Sequence, residues 1–319
     1  MHTRAIKLLI LTALAVLVAF PWVGDEFYVD FVGRLMILGI FAMSLDLLVG
    51  FTGLVSFGHA AFFGLSGYML AIFTPQDAPA SLFWILPLSL LITALAALIV
   101  GWIAVRTSGI YFIMITLALA QMFYYFFNDF PAFGGSDGIF VAYRPVFGVG
   151  DFVLIDLENR LTFYYFILAA MIASYLALRM MLNAPFGQVL RAIKTNERRT
   201  VSLGFHTHRY KLASFVIAGT IAGLAGFLEA AHSGIISPAH LSWHESGLVL
   251  MTVILGGTGT LYGSVIGAFA LGILQDQLQD FSEHWMLFLG IFIIVIVLIL
   301  PHGIAGAIKR LTRSGETSE

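Results

Sequence analysis

Apolar runs long enough to cross a lipid bilayer follow one another along almost the whole chain, and nothing constrains the fold more. They lie at about 6–23, 31–49, 54–73, 83–105, 109–127, 161–182, 210–231, 246–255, 263–275 and 285–300. A spanning helix needs roughly 20 mostly apolar residues. The first seven runs and the last meet that length. The pair 246–255 and 263–275 is shorter and is divided by Gly256-Gly257-Thr258-Gly259-Thr260. It reads either as two spans that extend into their flanks or as one re-entrant hairpin. Gly-interrupted apolar segments of this kind often border a transport pathway. Only 11% of the 319 residues are charged and 60% are hydrophobic, against roughly 25% charged in a soluble domain. The expected fold is all-α, a polytopic transmembrane helical bundle of about 9–10 spans, or of about 8 spans plus a re-entrant hairpin. It forms one domain over 1–319, without the ten-residue alternating strands of a membrane barrel.

The charges that remain are sorted by loop. Lys and Arg favour cytoplasmic loops. With the N-terminus inside and sides alternating, the cytoplasmic segments hold Arg4, Lys7, Arg106, Arg179, Arg191, Lys194, Arg198, Arg199, Arg209, Lys211, Lys309, Arg310 and Arg313, which is 13 of the 16 basic residues. Only Arg34, Arg144 and Arg160 fall outside. Most acids sort the other way, among them Asp25, Glu26, Asp30, Asp77, Asp137, Asp151, Asp156, Glu245 and Asp276. Both termini are then cytoplasmic, whichever way 246–275 is threaded. Arg4 and Lys7 before the run Leu8 to Phe20 also suit a signal peptide. No small-residue cleavage site follows, so this segment reads as an uncleaved first span. Two loops exceed connector length: an outer one at 128–160, with Gly134-Gly135-Ser136-Asp137-Gly138, and an inner one at 183–209.

The inner loop is more than a charged tether. Asn183 suits an N-cap and Pro185 a first helical turn. Val189 and Ile193, four apart, share a face, while Arg191 and Lys194 point elsewhere. Thr195-Asn196-Glu197 can break this helix and start a second through Arg198, Arg199, Val201 and Leu203, ending near Gly204. Two readings are open: a basic loop that fixes topology and touches lipid headgroups, or a surface that docks onto a partner.

Asp46, His59, Gln121 and Glu229 lie within apolar runs, where ionisable groups are costly and raise a functional question by default. His59, in Ser56-Phe57-Gly58-His59-Ala60-Ala61, either lines a solute path or packs against a neighbouring helix. Asp46 reads as a capping or interhelical hydrogen-bonding group and Gln121 as interhelical glue. Glu229 reaches towards the outer interface. Gly219, Gly223 and Gly226, and likewise Gly263, Gly267 and Gly272, suit close helix contacts. Thr52-Gly53-Leu54-Val55-Ser56-Phe57-Gly58 and Thr258-Gly259-Thr260-Leu261-Tyr262-Gly263 form a candidate internal repeat. The chain has no cysteine, which excludes disulfides, thiolate metal sites and cysteine nucleophiles. It has no Gly-x-x-x-x-Gly-Lys-Ser/Thr phosphate loop and no His-Glu-x-x-His metal motif, so no ATPase activity of its own is expected.

Six stretches in order carry a family resemblance: Gly53-Leu54-Val55-Ser56-Phe57-Gly58-His59-Ala60-Ala61-Phe62-Phe63-Gly64; Ser108-Gly109-Ile110-Tyr111-Phe112 through Thr116-Leu117-Ala118 and Gln121-Met122; Gly134 to Gly138; Pro185-Phe186-Gly187 with Arg191-Ala192-Ile193 and Asn196-Glu197-Arg198-Arg199; Lys211-Leu212; and Ile254-Leu255-Gly256-Gly257 with Gly259 to Gly263. From about Phe41 to Leu300 the chain resembles the LivM-like permease subunits of branched-chain amino acid ABC transporters. The resemblance implies a multi-pass permease, not an enzyme, in the inner membrane of a prokaryote. It implies a second related permease subunit, two ATP-binding subunits, an extracytoplasmic solute-binding protein and surrounding membrane lipid. Neither a cofactor, a metal nor a nucleic acid is expected. Pro185, Phe186, Gly187, Arg191, Ile193, Asn196, Glu197, Arg198 and Arg199 would form the ATPase-coupling segment. Ser56, Gly58, His59 and Gln121 become the substrate-path candidates. One departure is Asp46, where the family leads one to expect Asn. Alternatives are the same architecture importing urea, short amides or another small solute, and a stand-alone ion-coupled transporter that uses Asp46, His59 or Glu229.

Overall fold

The computed structural model describes residues 2–307 apart from 76–77, 150–151, 156, 282 and 301–302. The tail that carries Lys309, Arg310 and Arg313, and the acids Asp77, Asp151 and Asp156, lie outside the described residues. Every apolar run is occupied by helix: α1 (His2–Ala19), α2 (Glu26–Asp46), α3 (His59–Phe73), α4 (Leu82–Ala104), α5 (Ile110–Asp129), α6 (Arg160–Asn183), α8 (Thr207–Ser233), α9 (Trp243–Gly256), α10 (Leu261–Phe281) and α11 (Trp285–Ile299). The charged loop after α6 forms α7 (Pro185–Ser202). The polytopic bundle is as expected. Among the described residues six helices are long and apolar enough to cross a membrane, or seven if the bent pair α9–α10 is one span. α3 is shorter than its apolar run. Residues 54–58 of its apolar run are not helical, and its 15 residues extend only about 22 Å.

The α9–α10 pair is bent by 113° and closes on itself through small residues. A Cβ on Gly256 would meet the Gly263 carbonyl, and one on Gly267 would meet the Thr252 carbonyl. Residues progressively earlier in α9 thus face residues progressively later in α10, the packing of a helical hairpin. The other glycines predicted to serve contacts do so. Gly219 and Gly223 of α8 abut Ala97 and Thr93 of α4, and Gly226 leaves no room for a Cβ beside the Phe63 carbonyl of α3. Backbones that approach this closely gain dispersion contacts, which drive helix association where lipid is as apolar as the side chains.

α2 is the axis of the bundle, packed by α6, α8, α9 and α10 and buried over most of its length. α4, α5 and α11 lie outside and turn large apolar side chains outward, among them Trp84, Ile99, Met122 and Leu298. The end of α1 is tied to α6 by Tyr164, whose hydroxyl donates to the Leu17 carbonyl at 2.8 Å. The loop at 128–160 is pinned by a two-residue antiparallel pair, β1 (Ile139–Phe140) with β4 (Ile235–Ile236); β2 (Phe147–Val149) and β3 (Phe152–Ile155) form a separate antiparallel pair. Gly134-Gly135-Ser136-Asp137-Gly138 spells the Gly-x-Ser-x-Gly of a hydrolase nucleophile turn, yet its centre, Gly135–Asp137, is a 3₁₀ turn that follows another at Pro131–Phe133, not a strand-to-helix turn. The Ser136 hydroxyl donates to neighbouring Asp137.

Candidate functional site

Two regions hold the residues singled out by the sequence. The first surrounds the start of α3. Gly58 is the residue before the helix, and it fits there because a Cβ would collide with the Thr116 carbonyl of α5. The Phe57 N–H donates to Thr116 Oγ1 at 3.3 Å, and the Ala60 N–H donates to Ser246 Oγ of α9 at 2.9 Å. The helix N-terminus is thus capped by side chains from two other helices. His59 Nε2 lies 2.9 Å from Ser44 Oγ. Its ring stacks on Phe41 at 5.8 Å and meets Phe62 edge-on. Ser56 and His59 have no exposed surface, and Gly58 is buried with them. Gln121, further along α5, is half-buried. In this conformation the first three form a closed packing node between α2, α3, α5 and α9.

The second region is α7 and what it grips. The sequence expectation of a helix, a break and a second helix is met: within α7, Asn196 has extended φ −160° and ψ 99°. Its side chain accepts from the Arg199 N–H at 3.0 Å, the N-cap geometry that starts a new helix. Asn183 is a correction. It is the last residue of α6, and Ala184 precedes α7 without a side-chain cap. Gly187 is required because a Cβ would strike the Leu182 backbone where α6 turns into α7. Phe186 lies 5.6 Å from Tyr210 of α8. Val189, Leu190 and Ile193 are buried; Arg191, Arg198 and Arg199 are exposed, with Arg191 over the Phe51 ring at 5.6 Å.

Two polar contacts that the sequence did not suggest fix α7 to the bundle, and a third ties the end of α2 to the α9–α10 bend. Glu197 accepts from Lys211 Nζ of α8 at 2.7 Å, and the Lys211 side chain is buried. Lys194 Nζ donates to the Gly50 carbonyl at 2.6 Å. Gly50 belongs to the π-helical turn Leu47–Thr52 that ends α2. Asp46, one turn back, accepts from the Gly259 N–H of the α9–α10 bend at 2.7 Å. α7, the end of α2 and the bend of the hairpin therefore meet at one junction. α7 touches the break that ends α2 directly, and the bend of the hairpin is joined to that break through Asp46. No signal in a single sequence announces these contacts, because 144 residues separate Lys194 from Gly50 and 213 separate Asp46 from Gly259.

The profile of the family described as branched-chain amino acid transport system / permease component matches residues 27–298. The high-affinity branched-chain amino acid transport system permease protein LivM of Salmonella typhimurium is 29% identical over 93% of this chain and 74% of its own length. LivH of Escherichia coli, a permease protein of a transport system of the same name, is 28% identical over 38% of this chain and 39% of its own. The autoinducer 2 import system permease protein LsrC of Photorhabdus laumondii is 30% identical over 41% of each. No solved structure gives a significant match.

Proposed function

The chain belongs to the branched-chain amino acid transport system permease family, and from that premise we propose that it pairs with a LivH-like permease to form the path of an ABC importer for branched-chain amino acids. It is a multi-pass permease subunit of the inner membrane. The observation that carries the substrate class is the match to LivM along nearly the whole chain; the likeness to LivH, shorter and of the same system by name, supports the pairing.

On this reading 183–209 faces the cytoplasm, 128–160 faces outward, and both termini lie inside. Residues 1–319 act as one permease domain. Two separate ATP-binding subunits seat α7, and an extracytoplasmic binding protein delivers the solute. Support comes from the form of α7. It is short, broken at a capped Asn196, apolar towards α8 and basic outward. Pro185, Phe186, Gly187, Ile193, Asn196 and Glu197 shape and seat it; Arg191, Arg198 and Arg199 are left to meet a partner. Closure of the ATPases then pulls α7, and the junction at Gly50 and Gly259 passes the displacement to α2 and the hairpin. Such coupling requires two states that both sites bias. Ser56, Gly58, His59 and Gln121 line the path only if that movement opens the α3 node.

The test is co-purification. A tagged chain expressed with the permease, ATPase and binding-protein genes encoded beside it should retain two ATPase subunits, and vesicles holding the complex should accumulate leucine only with ATP and binding protein. Accumulation by the chain alone under an ion gradient would refute the assignment. An exposed-face charge reversal, Arg198→Glu with Arg199→Glu, should release the ATPases while leaving the two permeases together.

A further inference from the structure

Three basic residues depart from the charge sorting of the loops, and the structure accounts for two. Arg160 pairs with Glu26 and with Asp30. Arg144 donates from Nε to the Ala231 carbonyl at 3.1 Å and lies over the Phe163 ring. Arg34 makes no ion pair among the described residues. It is exposed on a helix whose next nine residues are all buried except Leu38, about 12 Å along the axis from the first residue of α2. A guanidinium at such depth is costly and is retained where it faces water, a partner charge or a ligand.

Arg34 opens into a cavity of about 280 Å³ between α2, α8 and α10. This is close to the lower end of the range for small-molecule sites, roughly 300–1,000 Å³, and suits a solute of amino-acid size. Phe31, Leu35 and Leu38 provide an apolar wall, and Asp276 of α10 provides a carboxylate that is also without an ion pair among the described residues. His232 lines the same cavity, and its buried Nδ1 has no hydrogen-bond partner. Asp30 is present but engaged by Arg160. Glu229 stands within electrostatic reach of Arg34 without bonding to it. An anion alone would meet Asp276 and Asp30, a cation alone would meet Arg34, and a neutral sugar would leave both charges uncompensated. A ligand that displaces water from these charges without pairing them is penalised. One molecule that carries both signs and an apolar group satisfies the whole lining.

Resting on the permease reading, we propose that this cavity is a binding subsite for the zwitterion of an apolar amino acid. Arg34 takes the carboxylate, Asp276 takes the ammonium, and the Phe31–Leu35–Leu38 wall receives the side chain. The subsite lies 16 residues along α2 from Gly50, about 24 Å, at the far end of the bundle from α7. It would hold solute where the path is entered.

The chain lacks cysteine, so Gln279→Cys places a single thiol at the rim of this cavity. The variant is reconstituted with its companion permease and ATPases in phosphatidylcholine–phosphatidylglycerol vesicles and labelled from outside with a membrane-impermeant maleimide. L-Leucine at about ten times its Kd should slow labelling about tenfold by mass action. L-Leucinamide, without the carboxylate, and 4-methylpentanoate, without the ammonium, should protect far less. Arg34→Gln and Asp276→Asn should each abolish protection while the complex still assembles. A thiol that never labels overturns the proposal. So does labelling that no apolar amino acid slows, or equal protection by leucine and leucinamide. Loss of the companion permease from Arg34→Gln also overturns it, by making Arg34 an assembly contact. If leucine uptake remains ATP-driven but protection is absent, the subsite fails and the transport reading stands. If another apolar amino acid protects and leucine is not transported, the subsite stands and the branched-chain assignment fails.

Discussion

Glu197 is one of the residues that the family resemblance assigns to motor coupling, yet in the structure it faces inward, onto Lys211. The pair allows its two possible roles to be separated. At 2.7 Å the attraction is about 6 kcal/mol at an effective dielectric of about 20, and about 1.5 kcal/mol in water. The Lys211 side chain is 7% exposed and that of Glu197 38%, so the ammonium is the group left stranded when the pair is broken. Stranding one partner of a fully buried pair costs about 3–5 kcal/mol; with Glu197 partly in solvent, about 2–3 kcal/mol is expected for Glu197→Gln. Lys211→Met leaves a carboxylate that can turn to water, so its cost should stay below about 1 kcal/mol. The two substitutions together should recover most of the loss. Thermal unfolding of the purified chain can be followed through its five tryptophans. Glu197→Gln should lower Tm by about 4–8 °C, Lys211→Met should change it little, and the double variant should lie near the parent. ATPase co-purification read on the same variants completes the cycle. If Glu197 acts by seating α7, the double variant binds the ATPases again. A double variant that is stable but still uncoupled would place Glu197 in direct contact with the motor. Equal Tm losses in both single variants would refute the reasoning about which charge is stranded.

Asn196→Ala removes the cap of the second segment of α7 at a cost of about 1 kcal/mol, and hydrogen exchange should rise at 197–202 while α8 stays protected. Lys194→Met should weaken ATP-driven uptake without loss of ATPase binding, because it severs the 2.6 Å bond to Gly50 and leaves the outer face of α7 intact. Gly226→Ala should prevent a folded chain from being recovered, since its Cβ would overlap the Phe63 carbonyl; Gly290→Ala, with nothing within 4 Å, should be neutral or stabilising by up to about 1 kcal/mol. The monodisperse peak in size-exclusion chromatography reports both.

The long helices were legible because hydropathy and length alone determine them. The runs at 83–105, 109–127, 161–182 and 210–231 differ from α4, α5, α6 and α8 by no more than three residues at either end. Which helix sits at the centre was not. α2 is buried over most of its length and α11 is almost bare, yet both read as apolar. Lipid is as good a solvent for Leu as a protein core is, so hydropathy cannot separate inside from outside. The surviving signal is small residues. Gly33 admits His232, and Gly39 faces Val265 and Met171, close approaches to three neighbouring helices. The break in α7 was legible from Asn196, a local cap. The end of α6 was not, because Asn183 is equally at home in the last turn of one helix and before the first turn of the next.

Asp46 shows where local reading stops and what the fold adds. As an isolated acid in an apolar run it could be assigned only a generic hydrogen-bonding role. Its partner turns out to be a backbone N–H, that of Gly259, and Gly50 has no room for a Cβ between them. The faint Thr-Gly repeat marks both sides of this meeting. Gly53 and Gly259 each follow a helix end with a positive φ, +80° and +79°, which costs glycine little. The bond to Gly259 uses only Asp46 Oδ1, and Oδ2 has no hydrogen-bond partner among the described residues. An asparagine, the residue that the family resemblance leads one to expect, could make the same bond through its own oxygen. The hydrogen bond therefore holds the hairpin to α2, and the Lys194 bond to the Gly50 carbonyl holds α7 to the same turn. Asp46→Asn should keep the fold and the junction, whereas Asp46→Leu, which leaves the Gly259 N–H without an acceptor, should free the hairpin from α2.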